Sequence, residues 1–224
     1  MSSIVFDIET VAFDFDLFDE EQKKYLLKFA DTEEKIIEEK NKLALYPFTA
    51  RIISIGMINP STMNGEVFYI SDEKNYVEKN GIKYFSFQNE KDILKNFWEI
   101  ISKFDQIVTF NGRSFDCPFI TIRSAILGVI PTRNLNSYRY DTKMHFDIFD
   151  QLSFYGAVSR KFNLDFICKS FGIESPKSKG ITGLNLSQFF GEKKFFEIAE
   201  YCIGDVIATA KLFEILKVIF DDKK

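Results

Sequence analysis

Between residues 4 and 9 apolar and polar positions alternate, with Phe6 and Ile8 flanking Asp7 and preceding Glu9, which is the period of a short strand. From 19 to 42 the period becomes helical. Tyr25, Leu26, Phe29, Ile36 and Ile37 sit among Asp19, Glu20, Glu21, Lys23, Lys24, Glu33, Glu34, Lys35, Glu38, Glu39 and Lys40, predicting a solvated amphipathic helix or helical pair. Residues 51–58 and 66–70 read as strands joined by the turn-rich stretch 59–65, and 82–87 as a third. Residues 89–104 repeat Ile93, Leu94, Phe97, Ile100 and Ile101 at helical spacing. A short strand, 106–110, runs into Asn111-Gly112; a helix over 118–127 ends near Gly128. Residues 131–140 read as a loop, with shorter helical patterns around 145–155 and 163–171. The last pattern, 193–220, puts Phe195, Ala199, Cys202, Val206, Ala210 and Phe213 on one stripe. With no internal repeat or linker, the expectation is one α/β domain over 1–224, a mixed central sheet flanked by helices, with a helical insertion over about 15–46 after the first strand.

Composition adds exclusions. At 46% apolar and 28% charged residues the chain is globular rather than disordered. A net charge of −4 argues against a general polyanion binder of the histone type. It leaves nucleic acid open as a substrate, because carboxylates awaiting cations count as acidic. Residues 1–50 carry 12 acidic and 6 basic side chains, whereas 131–182 carry 8 basic and 5 acidic ones. That asymmetry reads either as solvated surface or as a backbone-tracking surface beside a metal centre. Cys117, Cys168 and Cys202 form no C-x-x-C pair, and with His145 the single histidine, zinc sites are hard to build. No apolar run approaches the roughly 18–20 residues of a membrane span, and the N-terminus lacks a basic leader. The expected setting is a reducing cytoplasm.

Three sets of carboxylates carry candidate chemistry. In Phe6-Asp7-Ile8-Glu9-Thr10, a strand would project Asp7 and Glu9 from one face, where two carboxylates repel and lose hydration unless a cation sustains them. The alternative is a wet outer face. In Asn111-Gly-Arg-Ser-Phe-Asp116, Asp116 stands two residues before Pro118, as a helix N-cap would, or points into a site. In Tyr201-Cys-Ile-Gly-Asp205, Tyr201 and Asp205 stack on one helix face at the edge of the apolar stripe, as boundary residues or as cleft residues.

In that order, D-x-E on a strand, N-x-x-x-F-D after a strand and Y-x-x-x-D on a C-terminal helix resemble the three motifs of the DEDD 3′–5′ exonucleases, whose fold is RNase H-like. Within that superfamily the resemblance is strongest to the proofreading-type exonuclease domains of family-B DNA polymerases and their stand-alone bacterial relatives. It spans Ile4 to about Leu216 and includes His145-Phe-Asp-Ile-Phe-Asp150 and the Lys179-Gly-Ile-Thr-Gly183 loop. One subclass places a histidine five residues before the last aspartate; here that position is Glu200, and Tyr201 matches the tyrosine subclass.

The resemblance implies two divalent cations about 3.5–4 Å apart, Mg²⁺ or Mn²⁺, since an all-carboxylate set disfavours zinc. Asp7 would bridge both, Glu9 and Asp205 would complete the water-activating site, and Asp116 would hold the second cation. Tyr201 would orient the attacking water. Thr10, Asn111 and Phe115 match positions that hold or wedge terminal nucleotides, although Phe115 reads equally as core filler. Lys179 reads as a phosphate contact or as part of a flexible surface loop. His145 and Asp147 read as an ordinary boundary pair, and Arg51 as structural. The implied activity is 3′–5′ hydrolysis of single-stranded DNA ends. The alternatives are the same chemistry on RNA, as in ribonuclease-D-type members, and a non-catalytic nucleic-acid or protein-binding module. With nothing after residue 224, proofreading in cis is not expected, and a partner polymerase or helicase stays open. The charged 19–42 segment would cover the cleft, set strand access or mediate a contact.

Overall fold

The computed structural model describes residues 2–174, 180–183 and 185–220. Seven strands form one sheet: β1 Ser3–Ala12, β2 Ala50–Ile58, β3 Gly65–Ile70, β4 Tyr76–Lys79, β5 Ile82–Phe87, β6 Gln106–Thr109 and β7 His145–Asp147. Their order is β4-β5-β3-β2-β1-β6-β7. β1 runs antiparallel to β2 and parallel to β6, so the sheet is mixed and β1 lies inside it. Eight α-helices accompany it among the described residues: α1 Glu20–Leu26, α2 Glu33–Lys42, α3 Glu90–Ile101, α4 Asp116–Leu127, α5 Ile148–Leu152, α6 Leu164–Ser170, α7 Leu186–Gly191 and α8 Phe195–Phe220.

The alternation along β1 decides what each face of the sheet holds. Ile4, Phe6 and Ile8 pack with Phe97 and Trp98 of α3 and Phe119 and Ile120 of α4. Val5 faces the other way, into a cluster with Val108, Phe146 and the α8 residues Ile203, Val206 and Phe213. Beside the first layer, Arg123 of α4 pairs with Glu90 of α3 at 2.7 Å, both buried, and Glu90 also accepts from the Ile52 N–H. This ion pair is tolerable in the interior because its lone pairs and protons are matched. α8 lies close on β2 because Gly56 has no side chain. A Cβ there would meet Val206 Cγ2 at 3.1 Å and Cys202 Sγ at 3.2 Å.

The expected strands and helices are present with shifted ends, and four features differ. β1 continues past Glu9 to Ala12 through a register shift between Glu9 and Thr10. β4, unexpected from sequence, joins β5 through Asn80 and Gly81 at φ 55° and 78°, the left-handed pair of a tight hairpin. Residues 145–147, read as helical, form β7 beside β6 before α5 starts. α7 was not anticipated. The insertion holds two helices: α1 opens with a capping box of Asp19 and Gln22 and α2 is N-capped by Thr32, yet neither buries a residue. The three cysteines are free and buried. Among the described residues no helix is long and apolar enough to cross a membrane.

Candidate active site

Asp7 and Glu9 project from β1 on the α8 side, where the sheet ends its apolar cover. One carboxylate oxygen from each and Cys202 Sγ lie within 4.8 Å of one another. Cys202 is turned to the backbone, donating to the Asp7 carbonyl at 3.6 Å. Asp116 is the first residue of α4; the N-cap is Phe115, which makes no side-chain cap. The capping reading is therefore corrected: the Asp116 carboxylate turns back to β1 and accepts from the Ile8 N–H at 3.0 Å. The loop ahead of it makes that possible. Asn111 is left-handed at φ 61°, and Gly112 passes so close to Thr109 that a Cβ would lie 2.5 Å from it. From α8, Tyr201 and Asp205 complete the cluster, with a hydrogen bond between their side chains.

Burial first, then the neighbouring Asp116, Glu9 and Asp205, push the Asp7 carboxyl well above its ordinary range. Glu9 is raised for the same reason, burial leading and Asp205 and Asp116 following. Asp116 is pushed up to about 7 by burial, against the hydrogen bonds from backbone N–H groups, that of Ile8 among them, that favour its charged form. The Tyr201 phenol is raised by burial and by Glu9 and Asp205, so it stays protonated. Among the described residues none of Asp7, Glu9 and Asp116 makes an ion pair with Lys or Arg. Carboxylates crowded together without a basic partner are a donor set for a hard divalent cation. The residues present fit one.

Asp7, Asp116 and Asp205 open on a cleft of about 470 Å³, lined also by Asn111, Phe115, Lys161, Phe162 and Asn163. All five residues of the carboxylate-tyrosine set are thus brought together, with Asn111 and Phe115 beside them. Phe115 also packs on Phe119, ring centres 5.5 Å apart, so its two readings coexist. The Thr10 hydroxyl points elsewhere, donating to the Ala44 carbonyl at 2.7 Å. Arg51 lies over the Phe190 ring, as a structural residue would. Lys179 falls outside the described residues.

His145 and Asp147 are buried, which corrects the boundary reading. Asp147 accepts from the N–H groups of Asn111 at 3.0 Å and Arg113 at 2.9 Å, and also from those of Phe149 and Asp150. One carboxylate thereby caps α5 and fixes the loop that leads to Asp116. His145 contacts Thr109 Oγ1 and the Leu135 carbonyl, and burial, with Arg113 and Arg133 nearby, pushes it down to about 3, so it is neutral. Sequence reasoning also missed Lys161, Phe162 and Asn163; the one available signal was a basic-aromatic run, Arg160-Lys161-Phe162, ahead of a helix cap.

Comparison with known proteins gives a consistent placement. Residues 47–221 match a family described as a predicted 3′–5′ exonuclease related to the exonuclease domain of PolB. That match contains Asp116, Tyr201 and Asp205 and stops short of Asp7 and Glu9, yet β1 lies between β2 and β6, both inside it. The chain is 24% identical over 169 residues to DNA polymerase 1 of Sulfurisphaera ohwakuensis, covering 72% of this chain and 19% of that one. It is 27% identical over 108 residues to DNA polymerase 1 of Saccharolobus solfataricus, covering 42% and 12%. The chain therefore spans about a fifth or less of these relatives. The family B DNA polymerase from Pyrobaculum calidifontis superposes with a TM-score of 0.59 at 16% identity, covering 96% of this chain and 24% of that one. This likeness shows the fold: a mixed seven-stranded sheet flanked by helices, RNase H-like.

Proposed function

The chain belongs to the family of predicted 3′–5′ exonucleases related to the exonuclease domain of PolB, and from that premise we propose that it hydrolyses phosphodiester bonds at the 3′ ends of single-stranded DNA with two divalent cations, Mg²⁺ or Mn²⁺. The observation that carries this reading is the convergence of Asp7, Glu9, Asp116, Asp205 and Tyr201 from β1, α4 and α8, with Asp7, Asp116 and Asp205 lining one cleft.

Asp7, Glu9 and Asp205 would hold one cation, and Asp7 with Asp116 the other. The ions supply activation of water and stabilisation of charge on the leaving oxygen. The chain's own groups do the positioning. Tyr201 keeps its proton at neutral pH, so it donates a hydrogen bond to the attacking water or its carboxylate partner and does not serve as the base. Asn111 and Phe115 line the cleft where the terminal nucleotide is to lie. Asp147 acts through them, holding the Asn111 N–H and thus the loop. Lys161 brings positive charge to the same cleft, and Lys179 is assigned to a backbone phosphate. Thr10 ties β1 to the Ala44 carbonyl.

The test is degradation of 5′-labelled single-stranded DNA and RNA of one sequence with Mg²⁺, Mn²⁺ or EDTA, alongside Asp7→Ala. A metal-dependent ladder on DNA that Asp7→Ala abolishes is the expected result. A faster ladder on RNA would reassign the substrate. Intact strands in every lane, with binding retained in Asp7→Ala, would replace the exonuclease by a binding module.

A further inference from the structure

Next to the carboxylate cleft lies a second groove of about 250 Å³. Phe149 and Phe162 line both spaces, so the two share a wall. The rest of the groove is mostly apolar: Val158, Phe166 and Phe171 stand out among its residues, and all three are exposed. Phe162, just ahead of α6, and Phe166 within it stack on each other, ring centres 4.6 Å apart at 19°, so the pair is a short aromatic stack that a further ring can extend. The Arg160 guanidinium lies 5.2 Å from the Phe162 ring centre, and among the described residues no acidic side chain lines the groove. A cluster of exposed phenylalanines is costly in water and calls for an occupant.

We propose that this groove is a subsite for one unpaired nucleobase of the strand whose 3′ end occupies the carboxylate cleft. The inference rests on the function proposed above only in taking that cleft's ligand to be a nucleic-acid strand. Flat aromatic faces beside a guanidinium suit a base and its phosphate, and stacking accepts every base because each has a π-face. The two hydroxyls of the groove are already engaged as donors, Ser153 to the Asp150 carbonyl and Ser170 to the Phe166 carbonyl. Recognition is therefore by the face of the base rather than its edge. The subsite distinguishes an unpaired strand from a duplex, whose bases are already stacked, and ignores sequence.

The test pairs three proteins, wild type, Phe166→Ala and Phe166→Trp, with two strands. Each is titrated by fluorescence anisotropy against a short labelled oligothymidylate, and against the same backbone made wholly abasic, with Ca²⁺ present to prevent turnover. Phe166 is 55% exposed, so its replacement leaves the core intact, and a matching melting temperature checks this. The expected result is binding to the intact strand weakened about tenfold by Phe166→Ala, no difference on the abasic strand, and recovery in Phe166→Trp. An equal effect on both strands, or no effect on either, overturns the subsite. A wild type that shows the expected pattern but leaves strands uncut in Mn²⁺ overturns the exonuclease reading and keeps the subsite. A wild type that cuts strands but lacks the pattern does the reverse. A wild type that binds neither strand and leaves both uncut overturns both.

Discussion

The Asp116 carboxylate accepts a hydrogen bond from the backbone N–H of Ile8, 3.0 Å away, between the two acidic residues of β1. Position and charge of Asp116 can therefore be separated. Asp116→Asn keeps an oxygen for the Ile8 N–H and should fold normally while losing cleavage by at least about a hundredfold, since a carboxylate ligand is gone. Asp116→Ala leaves a buried N–H unmatched and should also lose about 1–3 kcal/mol of stability in urea unfolding.

Stability of the metal-free protein should depend on pH in an unusual direction. Asp7, Glu9 and Asp116 keep protons in the folded state that the unfolded chain, with carboxyls near 4, has lost. Their contribution is full below the unfolded value of about 4 and is lost as pH rises from there through the folded values, by about 7 for Asp116. His145, pushed down to about 3, works oppositely but only below its ordinary value of about 6.5. Between about pH 4 and 7, melting temperature in EDTA should fall, because three carboxyls outweigh the one imidazole. Asp7→Asn should flatten the slope, and Mn²⁺ should remove it, because a bound cation displaces those protons.

Tyr201→Phe should leave the melting temperature near that of wild type and lower kcat by about tenfold to a hundredfold, the range for one hydrogen bond to a charged group. In wild type, the rate should show no alkaline loss near pH 10 from Tyr201, because burial and the nearby carboxylates hold its proton. A loss in that range that disappears in Tyr201→Phe would contradict this.

Asp147→Ala should cost about 3 kcal/mol in denaturant unfolding, since it strips the acceptor from buried N–H groups on two segments at once. Asp147→Asn should cost less and still slow cleavage, because one weaker acceptor holds Asn111 and Arg113 less firmly.

Gly56→Ala should be tolerated within about 1 kcal/mol, as the contacts at 3.1 and 3.2 Å are to side-chain atoms. Gly56→Val should lower stability further and cut activity more than stability alone explains, because it lifts the turn of α8 that carries Tyr201 and Asp205. Activity measured well below each variant's melting temperature checks this.

Much of this arrangement is legible in sequence where a local period or a fixed spacing carries it. Alternation placed Asp7 and Glu9 on one face, and spacing of four placed Tyr201 with Asp205. For Asp116 the residues alone leave two readings, because its neighbour Pro118 signals a helix start equally well whether the carboxylate caps or not. Its true partner, the Ile8 N–H, is 108 residues away. Tyr76–Lys79 escaped because an exposed edge strand needs no apolar alternation. The role of Asp147 was invisible for the same reason as that of Ile8: its partners come from a different strand and loop.

The helical insertion leaves and re-enters the sheet at one point, where the Phe13 N–H donates to the Thr49 carbonyl at 2.9 Å and Thr10 holds Ala44. Its two helices bury nothing, and Leu43, just beyond them, joins neither core. The entropic cost of such a loop grows only slowly with its length. Residues 14–42 thus form a side branch whose sequence and size can drift, be exchanged or be shortened to a turn while the carboxylates stay where they are. Evolution and protein engineering alike can treat the segment as a replaceable attachment, and the catalytic apparatus as the fixed chassis beneath it.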